Sequence, residues 1–320
     1  MKWLRNLKLL KIDNQKEHLM ESTVNSISEY IEKIISLDSD CARNRKKYGT
    51  LLYRGQADKN YEIIPSIGRN RTSSSDISIL DEERNLIEMA KHKLPDVFRT
   101  EMEPVELLAL LQHYGIPTRL LDVTENSLVA LYFACNGCEN EDGEVIVFNN
   151  KEIDVGNYPI MNAIADSYKY ISDRGARLSF FYKSVINQSY FLDAIYAAKG
   201  SPITEACDFI SERCNIPMFI DAPIRTSRQL AQQGKYILFP NKIEERHGEL
   251  FFDKIIEPMN KNNEVIVDRI IIPKDCKQII VKQLRLFGIS EETLFCDSVD
   301  IVCKSIKEKC FDKLSTNHNI

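Results

Sequence analysis

Side chains able to do chemistry crowd into the run from Leu111 to Thr124: Gln112, His113, Thr118, Arg119, Asp122 and Thr124. Leu107, Leu108, Leu110 and Leu111 come before or open it, and Leu128, Val129, Leu131 and Phe133 follow, too much apolar surface for an exposed loop. A polar group in such surroundings is costly unless it finds a partner. The run therefore implies a preorganised network. Its imidazole suits proton transfer near neutral pH, and its guanidinium suits a bidentate grip on phosphate or carboxylate. The structural alternative uses the same residues, with Arg119 paired to Asp122 and pinning a loop. On balance Arg119 and Asp122 are expected to pair, which leaves His113 as the member that touches substrate.

Elements must position these groups. Pro104 at a first-turn position opens a helix over 105–114 that Gly115 ends, so Gln112 and His113 fall in its last turn. Proline disfavours the helical conformation at Ile116, so residues 118–124 run extended across the core. Asn126 or Ser127 then caps a helix reaching Cys135. Upstream, residues 50–56 form an apolar strand ending in Arg54-Gly55-Gln56, where the glycine lets the backbone bend or approach a ligand. Downstream, residues 225–234 are rich in polar side chains and include Gln232 and Gln233.

Further strands are expected at 143–148, 218–220, 235–240 and 265–272. Helices are expected at 22–37, 81–94, 160–172, 189–198, 203–214, 275–286 and 299–311. Residues 38–48 read as a solvated turn, and residues 65–75 as a flexible loop with Arg69 and Arg71. Strands and helices mix without strict alternation, which predicts an α+β fold: a mixed sheet of about five to seven strands in one main domain.

Composition sets the outer bounds. The 320 residues, 43% hydrophobic and 28% charged, can bury a full core. A formal charge of −5 argues against general nucleic-acid binding. No window approaches a membrane span. The basic, broken apolar pattern of residues 1–11 fits a docking helix better than a signal peptide, so a cytoplasmic location is expected. The nine cysteines form no framework. A single Cys135-x-x-Cys138 lacks a second pair at zinc spacing, so no metal site is assigned.

The residues Tyr53-Arg54-Gly55-Gln56, the run 111–122 with Ala130-Leu131-Tyr132-Phe133-Ala134, and residues 228–234 together resemble the FRG-domain family, named for a Phe-Arg-Gly motif. Ile271-Ile272-Pro273, residues 284–289 and Leu294-Phe295 fit its closing pattern. The resemblance spans roughly 22–305, between a basic extension (1–21) and a C-terminal helix end and tail (306–320). It departs from the family pattern at Tyr53, Val123 and Cys296. The resemblance implies a bacterial or phage protein, in some cases with a defence role, and assigns no reaction.

The layout is also similar to that of ADP-ribosyltransferases, with NAD as the candidate substrate and no tightly bound cofactor. That similarity implies cofactor-binding roles for Arg54, Gly55, Gln56, Arg119, Tyr132 and Gln232, and catalytic roles for His113, Gln233 and Asp122. It departs where a carboxylate is needed: Gln233 is neutral, and an amide cannot offset developing positive charge. Glu249 and Asp122 are the candidates to supply it. Two readings from other classes stand beside this one. The first is a nucleotide or nucleic-acid hydrolase with His113 as base and Asp122 as its orienter. The second is a binding module without catalysis. A small nucleotide is the expected partner, with any protein or nucleic-acid target open.

Overall fold

The structure, a computed structural model, describes residues 20–43, 50–69, 78–150, 158–172, 174–191, 203–223 and 226–296. Its frame is a seven-stranded sheet. The strand order is β1 (Met20–Thr23), β10 (Ile266–Ile272), β4 (Gly143–Asn150), β2 (Thr50–Gln56), β3 (Leu120–Thr124), β7 (Gly234–Leu238) and β6 (Met218–Ile220). β1 runs parallel to β10, and every other neighbouring pair is antiparallel. The sheet is mixed and the fold α+β, as the unalternated pattern of elements predicts. A second small sheet holds β5 (Ala176–Arg177), β9 (Glu249–Phe252) and β8 (Ile243–Arg246). Its hairpin turns through His247 (φ 54°) and Gly248 (φ 78°), the left-handed pair that matches strand twist.

One face of the main sheet carries the helices in two groups. Over β1, β10, β4 and β2 lie α1 (Ile27–Arg43), α4 (Ser127–Cys135) and α9 (Lys274–Leu284), whose Tyr30, Val129 and Ile280 meet Val147 and Ile270. Against β3, β7 and β6 pack α2 (Glu83–Lys93), α3 (Pro104–His113), α5 (Tyr158–Ala165), α6 (Leu178–Val185) and α7 (Ile203–Cys214), gathered around Leu111, Leu120, Phe181 and Leu238. The opposite face is covered by connecting segments. There Ile63, Ile67, Leu80 and Ile256 close over Leu52, Leu121, Ile146 and Ile237. The central strands are thus buried on both sides, which explains runs such as Val145-Ile146-Val147-Phe148.

Helix α4 lies unusually close to the sheet. A Cβ on Gly55 would sit 1.9 Å from the Ala130 carbonyl oxygen, and one on Gly143 would sit 2.1 Å from that of Ala134. The Gly55 expected to admit a bend or a ligand therefore admits a helix.

Two expected elements differ at the N-terminal side. The helix expected over 22–37 begins at Ile27, because Ser22 and Thr23 pair with Ile270 and Ile271 in β1. Residues 38–43, expected in a solvated turn, continue α1. The helix expected at 299–311, the 1–19 part of the N-terminal extension, the tail from 306 and most of the arginine loop (70–75) lie outside the described residues. Among the described residues no helix is long and apolar enough to cross a membrane.

Candidate functional site

β2 and β3 are in register at Tyr53 and Thr124 and then part. β2 goes on pairing with β4 through Gln56, and β3 with β7 through Leu120. Where they part, the Arg54 side chain takes over from the ladder: its Nη1 donates to the Asp122 carbonyl oxygen at 2.6 Å, and its Nε to Gln56 Oε1 at 3.3 Å. Burial pushes the guanidinium pKa down to about 10; the Asp122 charge opposes this and nearby Arg69 reinforces it. Arg54 is thus a half-buried cation whose hydrogen bonds among the described residues go to neutral oxygens.

Asp122 occupies the middle of β3, and its neighbours Leu120, Leu121, Val123 and Thr124 are all buried while it is exposed. Alternation explains its direction. Leu121 and Val123 face the helix-free side, so Asp122 points to the helical side. It lies there between the two helix groups and directly across from Tyr236 on β7. Burial, followed by the Asp122 charge, pushes the Tyr236 hydroxyl up to about 12.

A chain of polar contacts leads from Tyr236 to His113. The Tyr236 hydroxyl accepts from Gln229 Nε2 at 2.9 Å. Gln229 closes a capping box with Thr226 at the start of α8 (Ser227–Gln232), and Thr226 Oγ1 stands 3.2 Å from His113 Nδ1. The orienting group found at Nδ1 is therefore a hydroxyl. Gln112 Oε1 accepts from Thr118 Oγ1 at 2.5 Å, which ties the end of α3 to the start of β3.

The remaining expected residues take other places. Arg119 does not pair with Asp122: its Nε donates to Glu83 Oε1 at 2.8 Å, its Nη2 bonds Glu83 Oε2, and its Nη1 donates to Asn241 Oδ1 at 3.0 Å. Positions three apart on a strand point to opposite faces, so the expected pairing fails on geometry. Gln56 is buried and donates to the Tyr61 carbonyl (3.2 Å) and to Glu144 Oε2 (3.4 Å). Glu144 itself is held by Lys261 at 2.7 Å and by Arg269. Tyr132 is buried in α4, and its hydroxyl is pushed up to about 12 by burial, with Glu291 adding to the shift and Arg285 opposing it. Gln232 Nε2 donates to the Leu294 carbonyl of α10 (Glu291–Leu294) at 3.1 Å, while its own carbonyl accepts from Thr124 Oγ1 at 2.7 Å.

Gln233 ends α8 in the left-handed conformation at φ 46°, exposed, with its carbonyl accepting from Glu125 N at 3.1 Å. Of the two candidate carboxylates, Glu249 is remote in the small sheet and paired with Arg177 at 3.0 Å. Asp122 stands two residues along β3 from Thr124, which pairs with Gly234 next to Gln233. The structure thus ties Arg54 to the Asp122 main chain from the helix-free face, while the Asp122 side chain and, through α8, His113 lie on the helical face, with Gln233 at the margin. Gln229, Tyr236 and Thr226 were missed, although Thr226-x-x-Gln229 carries a capping-box signature and the Asp122–Tyr236 pairing follows once β3 and β7 are neighbours.

Comparison with known proteins gives one match. Residues 49–143 match the family model of the FRG domain, a span that contains Arg54, His113, Arg119 and Asp122 but ends before Thr226 and Tyr236. No curated protein and no solved structure matches the chain. The arginine at the parting of β2 and β3, the glycine beneath α4 and the exposed β3 carboxylate all lie within residues 49–143, the segment that is similar to the FRG domain.

Proposed function

We propose that the domain binds a nucleotide of the NAD class where β2 and β3 part and acts on it as an ADP-ribosyltransferase-like enzyme. One observation carries this reading: a half-buried Arg54 guanidinium reaches across the parting strands to the Asp122 main-chain carbonyl and feels the charge of the exposed Asp122 carboxylate, which leaves the opposite face of β3. Such a cation gains strongly from a phosphate, which offers charge-assisted bonds in a planar, two-pronged geometry. The Asp122 carboxylate, which leaves the other face of β3, can accept ribose hydroxyls of a ligand that threads the parting of the strands, as acidic residues do in dinucleotide sites. It can also offset the positive charge that grows on the ribose as the bond to nicotinamide lengthens. Asp122 thereby fills the role that a neutral Gln233 cannot.

His113, oriented by Thr226, and Tyr236, held by Gln229, would flank the ligand. In a defence setting the reaction would deplete NAD or modify a target; that role draws on the family resemblance. Isothermal titration with NAD, followed by an assay for released nicotinamide, tests the proposal. Wild type should bind and turn over NAD, and Asp122→Asn should keep its melt while losing turnover. Absence of binding at millimolar NAD overturns it and favours a binding module for some other ligand.

A further inference from the structure

A cleft of about 270 Å³ opens near the edge strand β6 and shares no residue with the site just described. Its floor includes Ile237 and Phe239, and its walls bring together Asn241, Lys242, Asn260 and Asn263. The amide orientations are fixed by local bonds. Asn260 Oδ1 accepts from Asn262 N at 2.8 Å, and Asn263 Oδ1 accepts from Val265 N at 3.1 Å. With both oxygens engaged, each side chain has an NH2 group left to donate, and neither Nδ2 has a partner among the described residues.

Asn241 is largely committed elsewhere: its oxygen accepts from Arg119, and one of its two amide hydrogens goes to the Asp253 carbonyl at 2.9 Å. Lys242 adds a third donor group, its charge balanced by Glu257 at 2.8 Å and Glu244 at 3.2 Å. The cleft therefore pairs an apolar floor with donor-rich, charge-balanced walls. That combination selects a neutral ring with carbonyl acceptors on its edge. The volume falls at the small end of ligand sites and suits a base or nucleoside better than a dinucleotide.

We propose that this cleft binds a nucleobase of the carbonyl-bearing type, of which uracil is the simplest, with its ring against Ile237 and Phe239 and its carbonyls on the Asn260 and Asn263 amides. Uridine and cytidine are the probes. They share the C2 carbonyl and differ at C4, where uridine carries an acceptor and cytidine a donor amine, and at N3, where uridine donates and cytidine accepts. Calorimetry on the full chain should give binding of uridine and affinity about tenfold weaker or worse for cytidine, the factor expected for one mismatched hydrogen bond. Asn260→Asp with Asn263→Asp keeps the oxygens that cap the local turns and removes the donors. That variant should keep its melt and lose uridine binding, whereas Asp122→Asn should bind uridine as wild type does. No uridine binding at millimolar concentration, equal affinity for the two nucleosides, or unchanged affinity in a folded double variant each overturns the proposal. The nucleoside comparison uses the unaltered protein, so it stands even if the double variant is unstable.

Discussion

Two arginines sit at or near the ends of strands in the same sheet and do opposite work. Arg119 is 1% exposed and meets its full complement: a carboxylate across two contacts and an amide oxygen across a third. Arg54 is half-buried, its bonds among the described residues go to a main-chain carbonyl and an amide, and the carboxylate whose charge it feels, Asp122, is turned to solvent. A buried ion pair that is already closed has nothing left to offer a ligand. A cation satisfied by neutral acceptors retains unspent electrostatic potential. The first arrangement anchors the sheet; the second is the one on which the proposed binding rests.

This contrast can be broken by substitution. The largest effect should fall on the anchor: Arg119→Ala leaves Glu83 buried and unpaired and should cost about 3–5 kcal/mol in urea unfolding. Gly55→Ala comes next, because its methyl group must displace the backbone of α4, for about 1–3 kcal/mol. Arg54→Ala removes two hydrogen bonds to neutral acceptors and should cost about 1–2 kcal/mol, while NAD binding, measured by calorimetry, should vanish. Equal losses of stability for Arg54→Ala and Arg119→Ala would erase the distinction between anchor and site. Gln233→Gly relieves a left-handed backbone and should raise the stability by about 0.5–1 kcal/mol in the same assay. Asp122→Asn should move stability least, by within about 0.5 kcal/mol, and still abolish nicotinamide release.

Much of the frame could be read from the chain. The apolar runs at 50–56, 143–148 and 265–272 are strands because both of their faces are buried. Pro104 and Gly115 bracket α3 as their backbone preferences require. β1 could not be read. Met20-Glu21-Ser22-Thr23 has no apolar alternation, and its extended form comes from pairing with β10 almost 250 residues away. The meeting of Arg54 with Asp122 was hidden for a similar reason: it depends on β2 and β3 being neighbours and on where they part. The supposed Arg119–Asp122 pair was within reach of simple arithmetic, since a strand over 118–124 already places the two on opposite faces.

The close seat of α4 on Gly55 and Gly143 carries a consequence for recognising distant relatives. The arginine and the glycine of the Arg54-Gly55 pair answer to separate demands, one to the proposed ligand and the other to a helix backbone 1.9 Å from where a methyl would sit. Lineages that abandon the chemistry should therefore shed Arg54 and Asp122 while keeping small residues at 55, 130, 134 and 143. A sequence profile weighted on those four positions would trace the scaffold, and one weighted on Arg54 and Asp122 would trace the activity. Where the two disagree, the chain has kept its architecture and changed its trade.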